Sequence, residues 1–421
     1  MATLAVVGGG WAGLAAAVEG VRRGFSVTLF EMAPQLGGRA RSVTSGGHEL
    51  DNGQHILIGA YTETLRLMRT VGVDPEALLL RTPLALVGPD GHGLTLPRGG
   101  PVTAFVRGVL AQRGWRLRDR LALLATAARW RRLGFACAPA LTVAELAAGL
   151  PTAVRAELVE PLCVAALNTP AESASAVVFL RVLRDALFAS PGSADLLLPR
   201  VGLSALLPAP AMQWLASAGV TLRLGRRVRH VERGGAGWQV DGDTFDGVVL
   251  ATSAVEAARL AEPIAPDWAA RAAALHYEPI VTVYLRSPRA VLGAPMVALA
   301  ADDTAPAQFV FDHGQLRGDA GLLAFVISGA RRWVDLGQEA TVAATRAQAE
   351  HALARHLTEP LTTVAHLTEK RATFACTPGL ARPPAGIAPR LAAAGDHVEG
   401  PYPATLEGAV RSGVAAVALA V

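Results

Sequence analysis

The sequence predicts an α/β fold: a parallel sheet with crossover helices, assembled from separated stretches of chain, beside a second domain of mixed sheet and helix. Three observations predict it. The chain opens with an apolar run, a glycine-rich turn and an alanine-rich segment, in the order strand, turn, helix. A second apolar run ends in an acid at Glu31. Two short apolar runs ending in small residues return much later, near residues 250 and 394.

The first sixty residues justify the opening elements one by one. Residues 3–7 form the first strand, and Gly8-Gly9-Gly10-Trp11-Ala12-Gly13 follows at once before a helix over 14–23. Gly8 allows the tight turn, Gly10 lets backbone approach a pyrophosphate, and Gly13 permits close helix–strand packing. Ala12 belongs to the same turn, and the helix N-terminus adds N–H groups and a positive dipole end. The second strand, residues 25–30, ends in Glu31, eighteen residues after Gly13, where a carboxylate can accept from the ribose hydroxyls of an adenosine. An acid there favours an unphosphorylated ribose, as in NAD or FAD. A lone glycine fingerprint is weak evidence, but here glycines, strands, helix and acid stand in register, which makes a Rossmann-type domain the reading.

Leu36-Gly37-Gly38-Arg39-Ala40-Arg41-Ser42 and His48-Glu49-Leu50-Asp51-Asn52-Gly53-Gln54-His55 come next, an extension that an NAD-binding unit does not need. It resembles the flavin amine oxidase and phytoene desaturase superfamily. The resemblance implies noncovalent FAD, with Gly38 and Arg39 over the cofactor phosphates and the Asp-x-Gly segment close to the flavin. It also implies a cofactor domain that is interrupted. The returning pieces read as strands at 221–224 and 227–231, a hairpin turn at Gly234-Gly235-Ala236-Gly237 with its second arm at 238–240, and a buried strand at 245–252. By the resemblance, Val228 meets the adenine through its backbone. Gly395-Asp396 end a late strand, Asp396 lies near the ribityl or phosphate, and the amides of Thr405 and Leu406 face the flavin pyrimidine edge. The FAD-binding domain is therefore expected over 1–75, 196–261 and 366–421, and the substrate domain over 76–195 and 262–365. The first insertion is expected to be mostly helical. The second is expected to hold strands at 280–285, 308–311 and 322–327 and a helix over 339–356.

A narrower resemblance covers nearly the whole chain: the squalene-associated FAD-dependent desaturase-like group, the hydroxysqualene dehydroxylases of hopanoid synthesis. Its carriers are Asp51-Asn52-Gly53-Gln54-His55 with Gly59-Ala60-Tyr61, Pro161-Leu162 through Leu167-Asn168-Thr169-Pro170, Glu369-Lys370-Arg371-Ala372-Thr373-Phe374, and Tyr402-Pro403-Ala404-Thr405-Leu406-Glu407-Gly408-Ala409. It implies reductive loss of an allylic hydroxyl from an apolar isoprenoid substrate, which requires a proton donor for the leaving oxygen and a long hydrocarbon tunnel. Asp51 and His55 are the candidate proton donors, with Asn52, Gln54 and Asn168 in the substrate pocket. A structural histidine facing Ile56-Leu57-Ile58 and a turn-holding aspartate are the plainer readings of the first two. Lys370 reads either as a surface lysine salt-bridged to Glu369 or as a lysine positioning water at a flavin. Cys376 reads as a buried structural thiol rather than a flavin thioether. Three further functions stand beside the dehydroxylase: a carotenoid or phytoene desaturase, an amine oxidase, and a flavin-stabilised lipid-binding protein without turnover.

Composition sets the remaining bounds. With 51% hydrophobic and 18% charged residues the chain is globular rather than disordered. A net charge of +4 without a recognisable basic motif argues against a nucleic-acid partner. Three scattered cysteines offer neither a redox pair nor a metal site. No apolar stretch approaches the roughly 18 residues of a membrane span, and no signal segment is visible, so a cytoplasmic location is expected. Residues 115–135 allow two readings. Leu117, Leu121, Leu124 and Ala128 recur at helical spacing among arginines, so the helix either packs this stripe into the core or lies peripherally on the inner face of the cytoplasmic membrane. No second dinucleotide fingerprint appears, which leaves the external electron donor and the oligomeric state unassigned.

Overall fold

The computed structural model describes residues 1–235 and 237–420. The chain opens with β1 (Thr3–Val7), α1 (Trp11–Arg22) and β2 (Ser26–Phe30). β1 and β2 pair in parallel, so α1 is the crossover that connects them. An antiparallel hairpin follows, β3 (Ser42–Ser45) and β4 (His48–Asp51). The first insertion is mostly helical and includes α2 (Pro101–Ala111), α3 (Leu117–Arg132) and α4 (Glu160–Leu167). The chain then returns through β5 (Thr221–Arg223) and β6 (Gly247–Leu250). The second insertion supplies β7 (Tyr277–Arg286), β8 (Met296–Ala298), β9 (Phe309–Asp312), β10 (Leu322–Ile327), α5 (Gln338–Ala352) and β11 (Thr362–Phe374). β12 (Gly386–Ala388), β13 (Leu391–Ala393) and α6 (Leu406–Leu419) complete the first sheet and its cover.

That first sheet runs β5-β2-β1-β6-β13-β12, parallel throughout except for its last pair. Its central strands are apolar on both faces: Leu4, Val6 and Val249 pack with α1 and α6 on one side, and Ala5, Val248 and Leu250 pack on the other with Val231, Trp238, Val240 and Phe245 of a small three-stranded antiparallel sheet. α1 and α6 pack together closely because small residues meet: a Cβ built on Gly413 would stand 2.1 Å from the Ala12 carbonyl oxygen. The second sheet, β8-β9-β10-β7-β11, is antiparallel. One face packs with the helical insertion, so that Trp115, Leu123 and Trp130 share a core with Tyr284 and Phe374.

Three expectations need correction. The strand expected at 227–231 begins only at Val231 and runs to Gly234. The amides of Arg229 and His230 donate to the Asp241 carboxylate instead of a ladder, which removes the reason for a strand there. Of the hairpin turn that follows, Ala236 lies outside the described residues. β11 pairs with β7 along its length, so the second sheet extends to Phe374, past the boundary expected at 365. The leucine stripe of α3 does not pack into the core as a whole: half-buried Leu124 touches it, and the other members do not. The helix packs through Asp119, Leu123, Ala127 and Trp130, while Leu117 and Leu121 are 62% and 53% exposed.

Candidate functional site

The glycine turn is built as its spacing requires. Gly8 sits at φ +108°, and a Cβ there would lie 2.4 Å from the Ala251 carbonyl oxygen. A Cβ on Gly13 would stand 1.8 Å from the Gly8 oxygen, so α1 can leave the turn only without a side chain at that position. Gly10 is different: a Cβ there would meet only Gly38 Cα, at 3.8 Å. The space before α1 is thus open at the one glycine that is expected to admit a pyrophosphate. No side chain caps α1 and no acid lies in its first turn, which leaves its leading N–H groups to an anion. Ala12 is buried among them.

Glu31 is buried at the end of β2, and its carboxylate accepts from the Gly9 amide (2.7 Å) and the Ala33 amide (2.7 Å). It therefore holds the turn, at the position where a ribose is expected. Gly37 and Gly38 come against the turn, with the Gly37 amide donating to the Gly9 carbonyl at 2.8 Å.

Arg39 and Asp396, 357 residues apart, join the two ends of the chain at 2.5 Å. The Arg39 guanidinium also donates to the Ala372 carbonyl at 2.7 Å. Burial disfavours both charges, but each compensates the other: Asp396 raises the Arg39 pKa above its usual value, while Arg39, with help from His397, holds the Asp396 carboxyl well below the usual carboxylate range. The Gly395 amide donates to Ser412 Oγ at 3.1 Å. Thr405 caps α6, accepting from the Gly408 amide at 2.9 Å, and Leu406 opens the helix. Val228 is buried, and its carbonyl accepts from the Arg259 guanidinium at 2.8 Å.

The Asp51–His55 segment is placed less simply. Asp51 is fully buried: Oδ1 accepts from the Ser42 hydroxyl (2.9 Å) and the Leu203 amide (2.8 Å), and Oδ2 pairs with Arg317. Those contacts are of a carboxylate that fixes the β3–β4 hairpin against the second domain, and they turn the expected proton donor into a positioning residue. His55 is half-buried, with Nδ1 3.0 Å from the Gly53 carbonyl. Burial pulls its pKa below the ordinary value, so Nδ1 donates to that carbonyl and the neutral ring keeps a bare Nε2. Asn52 donates to the Arg39 carbonyl and to Glu369, each at 3.0 Å. The Gln54 carboxamide lies against His313, with Oε1 3.1 Å from Nε2, and its own nitrogen is buried with no partner in the protein.

Asn168 does not join this group as a free side chain. It is 4% exposed and its amide is spent on the Glu278 carbonyl, the Thr373 hydroxyl and the Gly329 amide, knotting the end of α4 to the second sheet. The expected pocket role gives way to a structural one because no polar atom is left over. Lys370 is exposed on β11, whereas its neighbour Glu369 reaches inward to Asn52; alternation along the strand separates them, and the expected salt bridge does not form among the described residues. Cys376 is buried, and burial pushes its thiol up to about 12.

Sequence reasoning missed Arg317, His313 and Tyr284. Tyr284 donates its hydroxyl to the Asp51 carbonyl at 3.0 Å and packs edge-on against His313, whose pKa burial lowers to about 3. All three come from β7, or from the short helix His313–Arg317 that follows β9, far from any glycine motif. The one signal was an Asp312-His313 pair directly after an apolar strand.

Comparison with known proteins places this geometry in context. The profile of the flavin containing amine oxidoreductase family matches residues 11–421. A hydroxysqualene dehydroxylase of Rhodopseudomonas palustris is 29% identical, over 98% of this chain and 96% of that protein. One of Zymomonas mobilis is 28% identical over 100% and 99%. A zeta-carotene desaturase of Zea mays is 34% identical, but over 109 residues, 26% of this chain and 19% of that protein. Among solved structures, an oxidoreductase from Methanosarcina mazei superposes with a TM-score of 0.76 at 14% identity, covering 99% of both chains. A putrescine oxidase bound to putrescine superposes at 0.66 and 18%, covering 99% of this chain and 98% of that one. At such identities the superpositions establish the fold alone, whereas the family match spans nearly the whole sequence. The chain is a flavin-dependent oxidoreductase and belongs to the flavin containing amine oxidoreductase family.

Proposed function

We propose that this enzyme binds FAD noncovalently and removes the allylic hydroxyl of hydroxysqualene reductively, yielding squalene for hopanoid or other triterpenoid synthesis. The observation that carries the reading is the reach of the similarity. Proteins named hydroxysqualene dehydroxylase match over both insertions as well as the cofactor domain, while the desaturase match covers about a quarter of the chain.

The residues fit the cofactor. The open cradle at Gly10 and the uncapped start of α1 suit the pyrophosphate, with Gly8 and Gly13 shaping the turn, and Glu31 suits the ribose. Gly38, Arg39, Gly395 and Asp396 line the seam between the two chain ends, and Val228 contributes backbone toward the adenine. The leading amides of α6 at Thr405 and Leu406 favour negative charge on the isoalloxazine. The thiol form of buried Cys376 supports a noncovalent cofactor.

The chemistry a bound, reduced FAD supplies is a hydride equivalent: R–OH plus FADH2 gives R–H, water and FAD. What the chain itself must do is hold the hydroxyl and protonate it. The unpartnered Gln54 nitrogen, held in place by His313, is left to donate to a substrate hydroxyl. His55, once its otherwise bare Nε2 is protonated, carries that proton to the leaving oxygen, while Asp51, with Arg317 and Ser42, fixes the hairpin that presents both.

The test is anaerobic. Reduced enzyme is mixed with hydroxysqualene or phytoene, flavin absorbance is followed to equilibrium, and the lipid is identified by mass spectrometry. Squalene formed in step with flavin oxidation is expected. Oxidised enzyme that bleaches with phytoene, while reduced enzyme ignores hydroxysqualene, would make it a desaturase instead.

A further inference from the structure

The α2–α3 hairpin carries a surface that the flavin chemistry does not use. Leu110, Leu117, Leu121 and Leu133 are 43%, 62%, 53% and 56% exposed, four of the chain's more exposed large apolar side chains within 24 residues. Soluble surfaces scatter such residues singly, so their grouping on one hairpin needs a cause. The grouping is not a packing failure, because the opposite face of α3 is buried through Leu123, Ala127 and Trp130.

Charge singles out the same stretch. Residues 98–141 hold nine arginines and one aspartate, a net charge of +8. The whole chain carries +4, so everything outside this segment sums to −4. Asp119, the one acid, is buried on the core face of α3. Arg113, Arg116, Arg129, Arg131 and Arg132 are exposed, and among the described residues none pairs with a carboxylate. Arg120 is the exception in kind: it donates to the Trp115 and Leu110 carbonyls and locks the turn between the helices, fixing the leucines relative to one another.

We propose that this face docks on an anionic lipid bilayer, with the leucines in the acyl boundary and the arginines among the headgroups. Leucine is what selects a bilayer over a nucleic acid. A polyanion would be met by arginines alone, and the exposed leucines would be left in water, whereas an amphipathic face with basic flanks matches the headgroup layer in both its parts. Trp115, Leu123 and Trp130, on the inner side of the hairpin, share one apolar core with Tyr284 and Phe374, so the docked face backs onto the core that reaches the Asp51 hairpin. The inference does not depend on which apolar substrate the enzyme takes. No helix among the described residues is long and apolar enough to cross a membrane, which leaves docking to surface groups such as these.

Flotation of the flavin-loaded protein with vesicles tests it. Vesicles of equal parts phosphatidylcholine and phosphatidylglycerol are compared with pure phosphatidylcholine, at low and high salt, and a duplex DNA fragment is the polyanion control. Binding to the anionic vesicles is expected, weakened by salt. Each arginine near the headgroups is worth about fivefold in affinity, so Arg129→Gln/Arg131→Gln/Arg132→Gln loses on the order of a hundredfold. Leu117→Ser/Leu121→Ser loses roughly tenfold or more in vesicle binding and leaves DNA binding unchanged. All five side chains are exposed, so melting temperature stays at the wild-type value and serves as the folding control. Equal partition onto both vesicle types would overturn the proposal, as would no flotation at all or a leucine double variant that floats like wild type.

Discussion

Replacing His313 by Phe is expected to make the protein less sensitive to acid. The imidazole is 2% exposed, and burial, with the nearby Arg317 charge adding to it, lowers its pKa from an ordinary 6.5 to about 3. A histidine lowered on folding binds its proton in the unfolded chain first. Its linkage term is therefore absent above about pH 6.5 and destabilises progressively as pH falls from there toward 3. Between pH 7 and pH 5 the folded state takes up no proton on this ring while the unfolded state takes up one, which costs about 2 kcal/mol. Phe keeps the edge-on packing against Tyr284 but loses the bond to Gln54, worth about 1 kcal/mol. The variant is thus expected to be about 1 kcal/mol less stable than wild type at pH 7 and about 1 kcal/mol more stable at pH 5. Reversible urea unfolding at the two pH values measures this, and other titrating groups cancel in the difference between the two proteins. If both lose the same free energy between pH 7 and pH 5, the ring is not held neutral by burial and the reasoning fails.

Further outcomes concern the cofactor and the proton. Gly13→Ala places a methyl 1.8 Å from the Gly8 oxygen and is expected to abolish flavin retention, measured as flavin absorbance per mole of purified protein; an alanine variant with full flavin content would contradict the cradle. Asp396→Asn leaves the half-buried Arg39 guanidinium without its countercharge and is expected to weaken flavin binding by at least tenfold in titrations of stripped protein, an effect that Glu31→Gln shares in direction. His55→Asn is expected to keep full flavin content yet cut turnover by 10²-fold or more. The wild-type rate rises as pH falls, because burial makes the charged ring scarce at neutral pH, and the variant's pH profile flattens. Acid precipitation is expected to release all flavin into the supernatant from wild type and Cys376→Ser alike; colour left on wild-type protein alone would identify a thioether.

How much of this was legible beforehand depends on distance along the chain. The turn at Gly8, Gly10 and Gly13 and the acid at Glu31 are local. Each follows from what a backbone can do over a few residues, so a sequence reveals them directly. Asp396 was legible for a second reason, since a Gly-Asp pair after an apolar run has few meanings in a chain that already holds the opening motif. Asp51, by contrast, was seen but misassigned. Its role is set by Arg317, 266 residues later, and by the Leu203 amide, and no spacing rule reaches across such intervals. Asn168 failed similarly, because Glu278 on β7, Thr373 on β11 and Gly329 just after β10 engage both ends of its carboxamide. The α3 stripe shows the limit of periodicity itself. The residues 117, 121, 124 and 128 and the residues 119, 123, 127 and 130 both fit a helical period, and only tertiary packing decides that the face holding an aspartate turns inward.

The strand order of the first sheet also governs how the protein is made. β6 takes β1 as one neighbour and β13 as the other, yet β13 begins at Leu391. As the polypeptide leaves the ribosome, β6 spends the synthesis of some 140 residues with one ladder of amides and carbonyls unsatisfied, and α1 stays bare on the flank that α6 will cover. A nascent chain in that condition presents an apolar edge, the kind of template that recruits other chains. Its solubility during synthesis therefore rests on the second domain folding promptly around its own antiparallel sheet and bringing β13 to the waiting edge. Removing residues 391–420 would not yield a shorter enzyme but a sheet that never closes, recovered in inclusion bodies.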